Sequence, residues 1–79
     1  MQLPANETEL LKRITSNPNQ CSGAPCVRGM RIRVRDVLSY LAGGDTEKTI
    51  ADHLAIDVED VRACIVFAAR YLDHPRLVA

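Results

Sequence analysis

Four arginines, Arg28, Arg31, Arg33 and Arg35, are the densest concentration of reactive polar groups in this 79-residue chain. A guanidinium is a planar fork of N–H donors, matched to phosphate or carboxylate oxygens. Arg31, Arg33 and Arg35 alternate, so along a strand they share one face. Three readings of that face stay open. It is a solvated strand face that blunts a sheet edge, a ribbon that contacts phosphates, or a patch that docks an acidic partner. Arg62 is a further candidate contact, the one cation near the start of the last apolar stretch.

The other reactive residues are Cys21, Cys26 and Cys64, with His53 and His74. Cys21 and Cys26 stand at the edge of zinc-ligand spacing, but neither histidine sits in a matching ligand pair. Nothing in the spacing joins a cysteine to a histidine as a nucleophile and base. There is no phosphate loop, no paired metal carboxylates and no nucleophile elbow. The expectation is a non-catalytic protein with no metal and no cofactor. Cys26 and Cys64 read as small, semi-buried hydrophobes.

The chain is long enough for one domain with a small core. Hydrophobic residues make up 47% and aromatics 4%, so aliphatic side chains must fill that core. No apolar run approaches the roughly 20 residues of a membrane span. The opening Met1–Glu9 has no basic or apolar signal segment, which predicts a cytoplasmic protein. Net charge is zero, yet residues 1–44 hold six Lys/Arg against three Asp/Glu, and residues 45–79 hold four against seven. Such asymmetry suits head-to-tail association, or different partners at the two ends.

These residues need elements to position them. Residues 1–9 read as a polar lead, 10–74 as one domain and 75–79 as a short tail. Asn6 could cap a turn over Glu7–Leu11. Gly23 to Val34 has the grammar of a tight β-hairpin: Pro25 at a strand start, Gly29 supplying positive φ, and β-branched residues on both sides. Strands so short need a third, either Arg13–Thr15 or one from a second subunit. From Val34 the apolar period becomes helical, with Val34, Val37, Leu38 and Leu41 on one stripe and Gly43-Gly44 as the stop. Asp45 is the expected cap of a short helix from Thr46 to His53 or Leu54. Asp57 is the expected cap of the last helix, Val58 to about Asp73, with Asp60 in a capping-box position. Its core stripe reads Val58, Val61, Ile65, Ala68 and Leu72. The fold class is mainly α, with short N-terminal strands before a three-helix, helix-turn-helix-like core.

The last helix is apolar all round from Ala63 to Ala69, which predicts burial on a second side. Either the hairpin covers that side or a second copy does. The small size of the domain favours a homodimer through Cys64, Ile65, Phe67, Ala68 and Tyr71. The helix-turn-helix spacing over Thr46–Val61 is a fold signal more than a DNA signal. A recognition helix opening on Asp57, Glu59 and Asp60 would repel the phosphates that drive DNA affinity.

The string Arg13-Ile14-Thr15, then Gly23 through Val34, resembles the bacterial family called domain of unknown function 433. That family's pattern runs close to R-I, a spacer, then G-K-P-x-I-R-G-T-R-I-P-V, followed by an E-D-I/V element in an Ala-rich final helix. Here Gly43, Asp45, Ala51, Asp52, Glu59, Asp60, Val61, Ala63, Ala68 and Ala69 fall on or near it. Ala24, Met30, Arg33 and Leu54 depart from it, so the basic patch is reshaped. The resemblance implies an antitoxin-like protein related to helix-turn-helix folds, of a type II toxin–antitoxin pair. It would dock a PIN-like nuclease toxin, with repression of its own operon by DNA binding as a second implied role. The alternative is a stand-alone helix-turn-helix regulator of transcription.

Overall fold

The structure is a computed structural model and describes residues 7–72. The Asn6 cap, the helix end at Asp73 and the tail at 75–79 lie outside the described residues.

Helix α1, Glu7–Leu11, carries Glu7 and Glu9 in its first turn, where acids complement the helix dipole. It packs on the last helix through buried Leu10. Strand β1, Ile14–Thr15, pairs antiparallel with β2, Cys26–Val27, in the register Ile14 to Val27 and Thr15 to Cys26. So the third strand comes from the same chain, at the position expected.

The hairpin after β2 is shorter than its sequence suggests. Its return side is a single bridge between Cys26 and Arg33, with the Val27 N–H donating to Ile32 C=O at 2.9 Å. The Met30 N–H closes the turn onto Val27 C=O at 2.7 Å. Both central residues have positive φ, Arg28 at 44° and Gly29 at 70°. That is the signature of a type I′ turn, whose twist suits a hairpin. Gly29 takes this conformation freely; Arg28 does so at a steric cost.

Three helices complete the fold. Helix α2, Val34–Ala42, starts at Arg33 and ends at Gly43. It buries Val34 and Val37 and half-buries Leu38 and Leu41, the stripe the period foretold. Helix α3, Glu47–Leu54, is capped by Thr46 rather than Asp45, because the Thr46 hydroxyl accepts the Thr49 N–H at 3.1 Å. The turn into helix α4, Val58–Leu72, passes through Ala55 in the left-handed region, φ 58° and ψ 45°. The Ala55 N–H reaches back to Ala51 C=O. The Ile56 N–H also reaches back to Ala51 C=O at 3.0 Å, which closes the end of α3. The helix-turn-helix pair α3–α4 is therefore present.

The core gathers Val27, Val34, Val37, Ile50, Ala51, Ile56, Val61 and Cys64. On α4 the buried stripe differs from the expected one. Asp60, Val61, Ala63 and Cys64 face inward, while Ile65 is 40% exposed and Leu72 is 60% exposed. The helix is rotated so that an acid, Asp60, occupies the inner face, with Ala63, Cys64 and Phe67 following at helical spacing. Among the described residues, no helix is long and apolar enough to cross a membrane.

Candidate functional site

Asp60 is the only buried charged side chain among the described residues, with no exposed surface at all. Four donors converge on it. Oδ1 accepts from Arg13 Nη1 at 2.9 Å and Arg28 Nε at 3.0 Å. Oδ2 accepts from Arg28 Nη2 at 2.8 Å and the Asp57 N–H at 2.9 Å. The Arg28 pair is bidentate, the strongest form of carboxylate recognition. The Asp57 bond is half a capping box. Its other half is not made, because the Asp57 carboxylate faces Arg13 Nη1 at 3.4 Å.

The sheet places these arginines. One step beyond Ile14 and Val27 in the ladder, Arg13 stands opposite Arg28, and the Arg28 N–H donates to Arg13 C=O at 2.7 Å. Two like charges directly opposite each other would repel. Here the first turn of α4 lowers a carboxylate between them. Burial alone would raise the Asp60 pKa. The hydrogen bonds from Arg28, the Asp57 amide and Arg13 outweigh it and hold the carboxyl below its usual range. Asp60 therefore stays ionised inside the protein, and the same contacts stabilise the strained φ of Arg28.

One expectation for the arginines is corrected, that of a shared strand face. Arg28 binds Asp60 yet keeps 43% of its side chain exposed. Arg33 is the residue before α2 and pairs with Asp36 at 3.1 Å. Arg62 pairs with Glu47 at 3.3 Å. Arg31, Arg33 and Arg35 do not share a strand face, because the chain turns helical at Val34 and carries Arg35 into α2. Arg31 and Arg35 are exposed and form no ion pair among the described residues. Asp60 was legible as an acid in the first turn of a helix; its burial was not.

A second feature lies at the other end of α4. Phe67 and Tyr71 stack, with ring centroids 6.5 Å apart and planes 15° from parallel. They form a ridge with an open groove on each side. One groove, about 380 Å³, is walled by Pro25, Val34, Leu38, Ala68 and Leu72, with Arg35 at its edge. The other runs along Leu11, Ile14 and Arg70. Tyr71 is 70% exposed. Of the residues expected at a dimer face, Phe67, Ala68 and Tyr71 border the grooves, and Ile65 is exposed outside them. Cys64 is a correction: it is wholly buried in the core and cannot meet another chain. Its enclosure, with the Asp60 charge nearby, pushes its thiol up to about 12.

No group of three metal-ligating side chains occurs among the described residues. Cys21, Cys26 and Cys64 are all free thiols.

A protein-family model, described as a protein of unknown function (DUF433), matches residues 14–68, well over half of the chain. The chain belongs to the DUF433 family. No curated protein and no solved structure matches it. Arg28 and Asp60 lie within the matched residues and Arg13 stands just before them; the three side chains meet at one carboxylate.

Proposed function

We propose that this DUF433 protein is a non-catalytic, antitoxin-like binding protein of a bacterial type II toxin–antitoxin pair, acting in the cytoplasm as a homodimer. It docks a PIN-like nuclease toxin and regulates its own operon. The observation that carries the binding part of this reading is the Phe67–Tyr71 ridge with its two open apolar grooves. Contiguous exposed apolar surface of this kind on a small domain marks an interaction site. Exposed acids elsewhere, Asp45, Asp52 and Glu59, would complement the basic RNA-binding groove of a nuclease. The test is co-expression with the product of the adjacent gene, followed by size exclusion. One co-eluting complex is expected; two separately eluting species overturn the reading.

One observation favours a DNA-binding regulator as the second reading. With Asp60 withdrawn into the protein, the start of α4 presents less negative charge than its sequence implies. Arg31 and Arg35 then become the arginines to test, since Arg33 is occupied by Asp36. Regulator binding to its operator should weaken steeply with salt, and the Arg31→Ala/Arg35→Ala double variant should flatten that slope. An unchanged slope removes these arginines from the interface.

A further inference from the structure

The outward side of α4 carries an apolar seam left open by the described residues. Val58, Arg62, Ile65, Ala69 and Leu72 follow one another at alternating steps of four and three. That is the period of a coiled-coil seam, and it sets all five on one side of the helix. The buried residues of α4, Asp60, Val61, Ala63 and Cys64, are centred on the opposite side. Val58 is half-buried, whereas Ile65, Ala69 and Leu72 are exposed. Arg62 keeps 58% of its side chain exposed while it pairs with Glu47 of α3. The Glu7–Arg70 ion pair sets α1 beside Arg70. Neighbouring helices thus flank the seam without covering it.

Bulk and charge along the seam say what fits it. Ile65 is its midpoint, equally far from Val58 and Leu72. Against an antiparallel copy, Ile65 meets itself on the two-fold axis, Val58 lies level with Leu72, and Arg62 lies level with Ala69. The small Ala69 leaves room for the Arg62 stem, whose charged head stays at the rim. A parallel copy would instead set Arg62 against Arg62, two like charges inside the seam. The flank agrees. Glu59 is exposed and forms no ion pair among the described residues, and Arg70 keeps 54% of its side chain exposed. They lie on the same flank of the seam, at opposite ends of α4. Antiparallel pairing brings Glu59 of each copy beside Arg70 of the other. Each chain therefore carries both halves of every match, as a two-fold interface requires.

We propose that α4 pairs antiparallel with α4 of a second copy along Val58, Arg62, Ile65, Ala69 and Leu72. This names the face of the homodimer put forward above and rests on that reading. The pairing leaves the Phe67–Tyr71 ridge, on another side of the helix, to a different partner. Leu72 ends the seam and also borders the larger groove, so each groove opens next to the edge of the dimer.

The experiment uses the full chain, with size exclusion and light scattering over a dilution series. The wild type should run at twice the chain mass. Ile65→Glu should raise the dimer dissociation constant by at least about tenfold with helical circular dichroism unchanged, and Tyr71→Ser should leave it within about twofold. Orientation is read by cross-linking with oxidised glutathione in a Cys21→Ser background. Ile65→Cys should link two chains through residue 65. Leu72→Cys should not link to itself, because the two copies of residue 72 lie roughly 20 Å apart at about 1.5 Å per residue. A monomeric wild type overturns the homodimer reading and this face with it. A dimer that tolerates Ile65→Glu, or that is lost with Tyr71→Ser, overturns the face alone. Loss of helix in Ile65→Glu puts Ile65 in the core and does the same. No link at residue 65, or a link at residue 72, overturns the antiparallel pairing.

Discussion

In the first turn of α4 an ionised carboxylate is fully enclosed; in its last two turns Tyr71 and Leu72 stand largely in solvent. The same helix thus hides a charge at one end and displays apolar side chains at the other. The difference lies in what each end meets. At the N-terminal end, two arginines from the β element and a backbone amide supply every hydrogen bond that Asp60 needs. At the C-terminal end, α1 and the hairpin loop are too short to cover the helix, and the Phe67–Tyr71 ridge stays open. Enclosure in so small a domain follows the supply of partners more than the polarity of the side chain.

That contrast can be broken first at its buried end. Asp60→Ala should cost about 2–3 kcal/mol, because it removes the buried carboxylate on which the charged hydrogen bonds of Arg13 and Arg28 converge. A chain of 79 residues has only about 4–12 kcal/mol to lose, at about 0.05–0.15 kcal/mol per residue. Urea unfolding followed by circular dichroism should find the midpoint clearly lowered in the variant. A loss under about 1 kcal/mol would mean the cluster contributes little.

Acid probes the same end more gently. The folded Asp60 carboxyl titrates below its unfolded value of about 4, so its stabilisation is complete above that pH. It disappears as the pH falls through the folded value. The free energy of unfolding should hold from neutrality to about pH 4 and decline below it. Asp60→Asn, which has no charge to lose, should show a shallower decline. Equal slopes in the two proteins would assign the acid sensitivity to other carboxylates.

The exposed end should respond least in stability. Tyr71→Ser with Leu72→Ser should shift the unfolding free energy by no more than about 0.5 kcal/mol per site, as for surface positions. The same pair should abolish co-elution with the partner. A large loss of stability would instead make this face part of the core.

Much of this fold was legible in the chain. The change from strand to helical period at Val34, the stop at Gly43 and the positive φ at Gly29 are local, and local rules found them. The site was harder to read because its parts are distant in sequence. An acid three residues past Asp57 reads as a cap, and it does make a capping bond. Nothing local reveals that Arg13 and Arg28, 47 and 32 residues away, reach the same carboxylate. One signal was available: Asp60, Ala63, Cys64 and Phe67 make a helical stripe, apolar but for its acid. Of the expected stripe, Val61 is buried and Val58 and Ala68 are half-buried, while Ile65 and Leu72 face solvent.

The cluster around Asp60 also sets an order on biosynthesis. Arg13 and Arg28 are polymerised before Asp60. At about 5–20 residues per second, Arg28 waits roughly 2–6 s for its carboxylate. During that interval the β element has two facing guanidiniums and no counter-ion. The N-terminal third therefore gains its native electrostatic partner only when the first turn of α4 has been made. A nascent chain cut short before residue 60 would carry the hairpin sequence without the group that closes it.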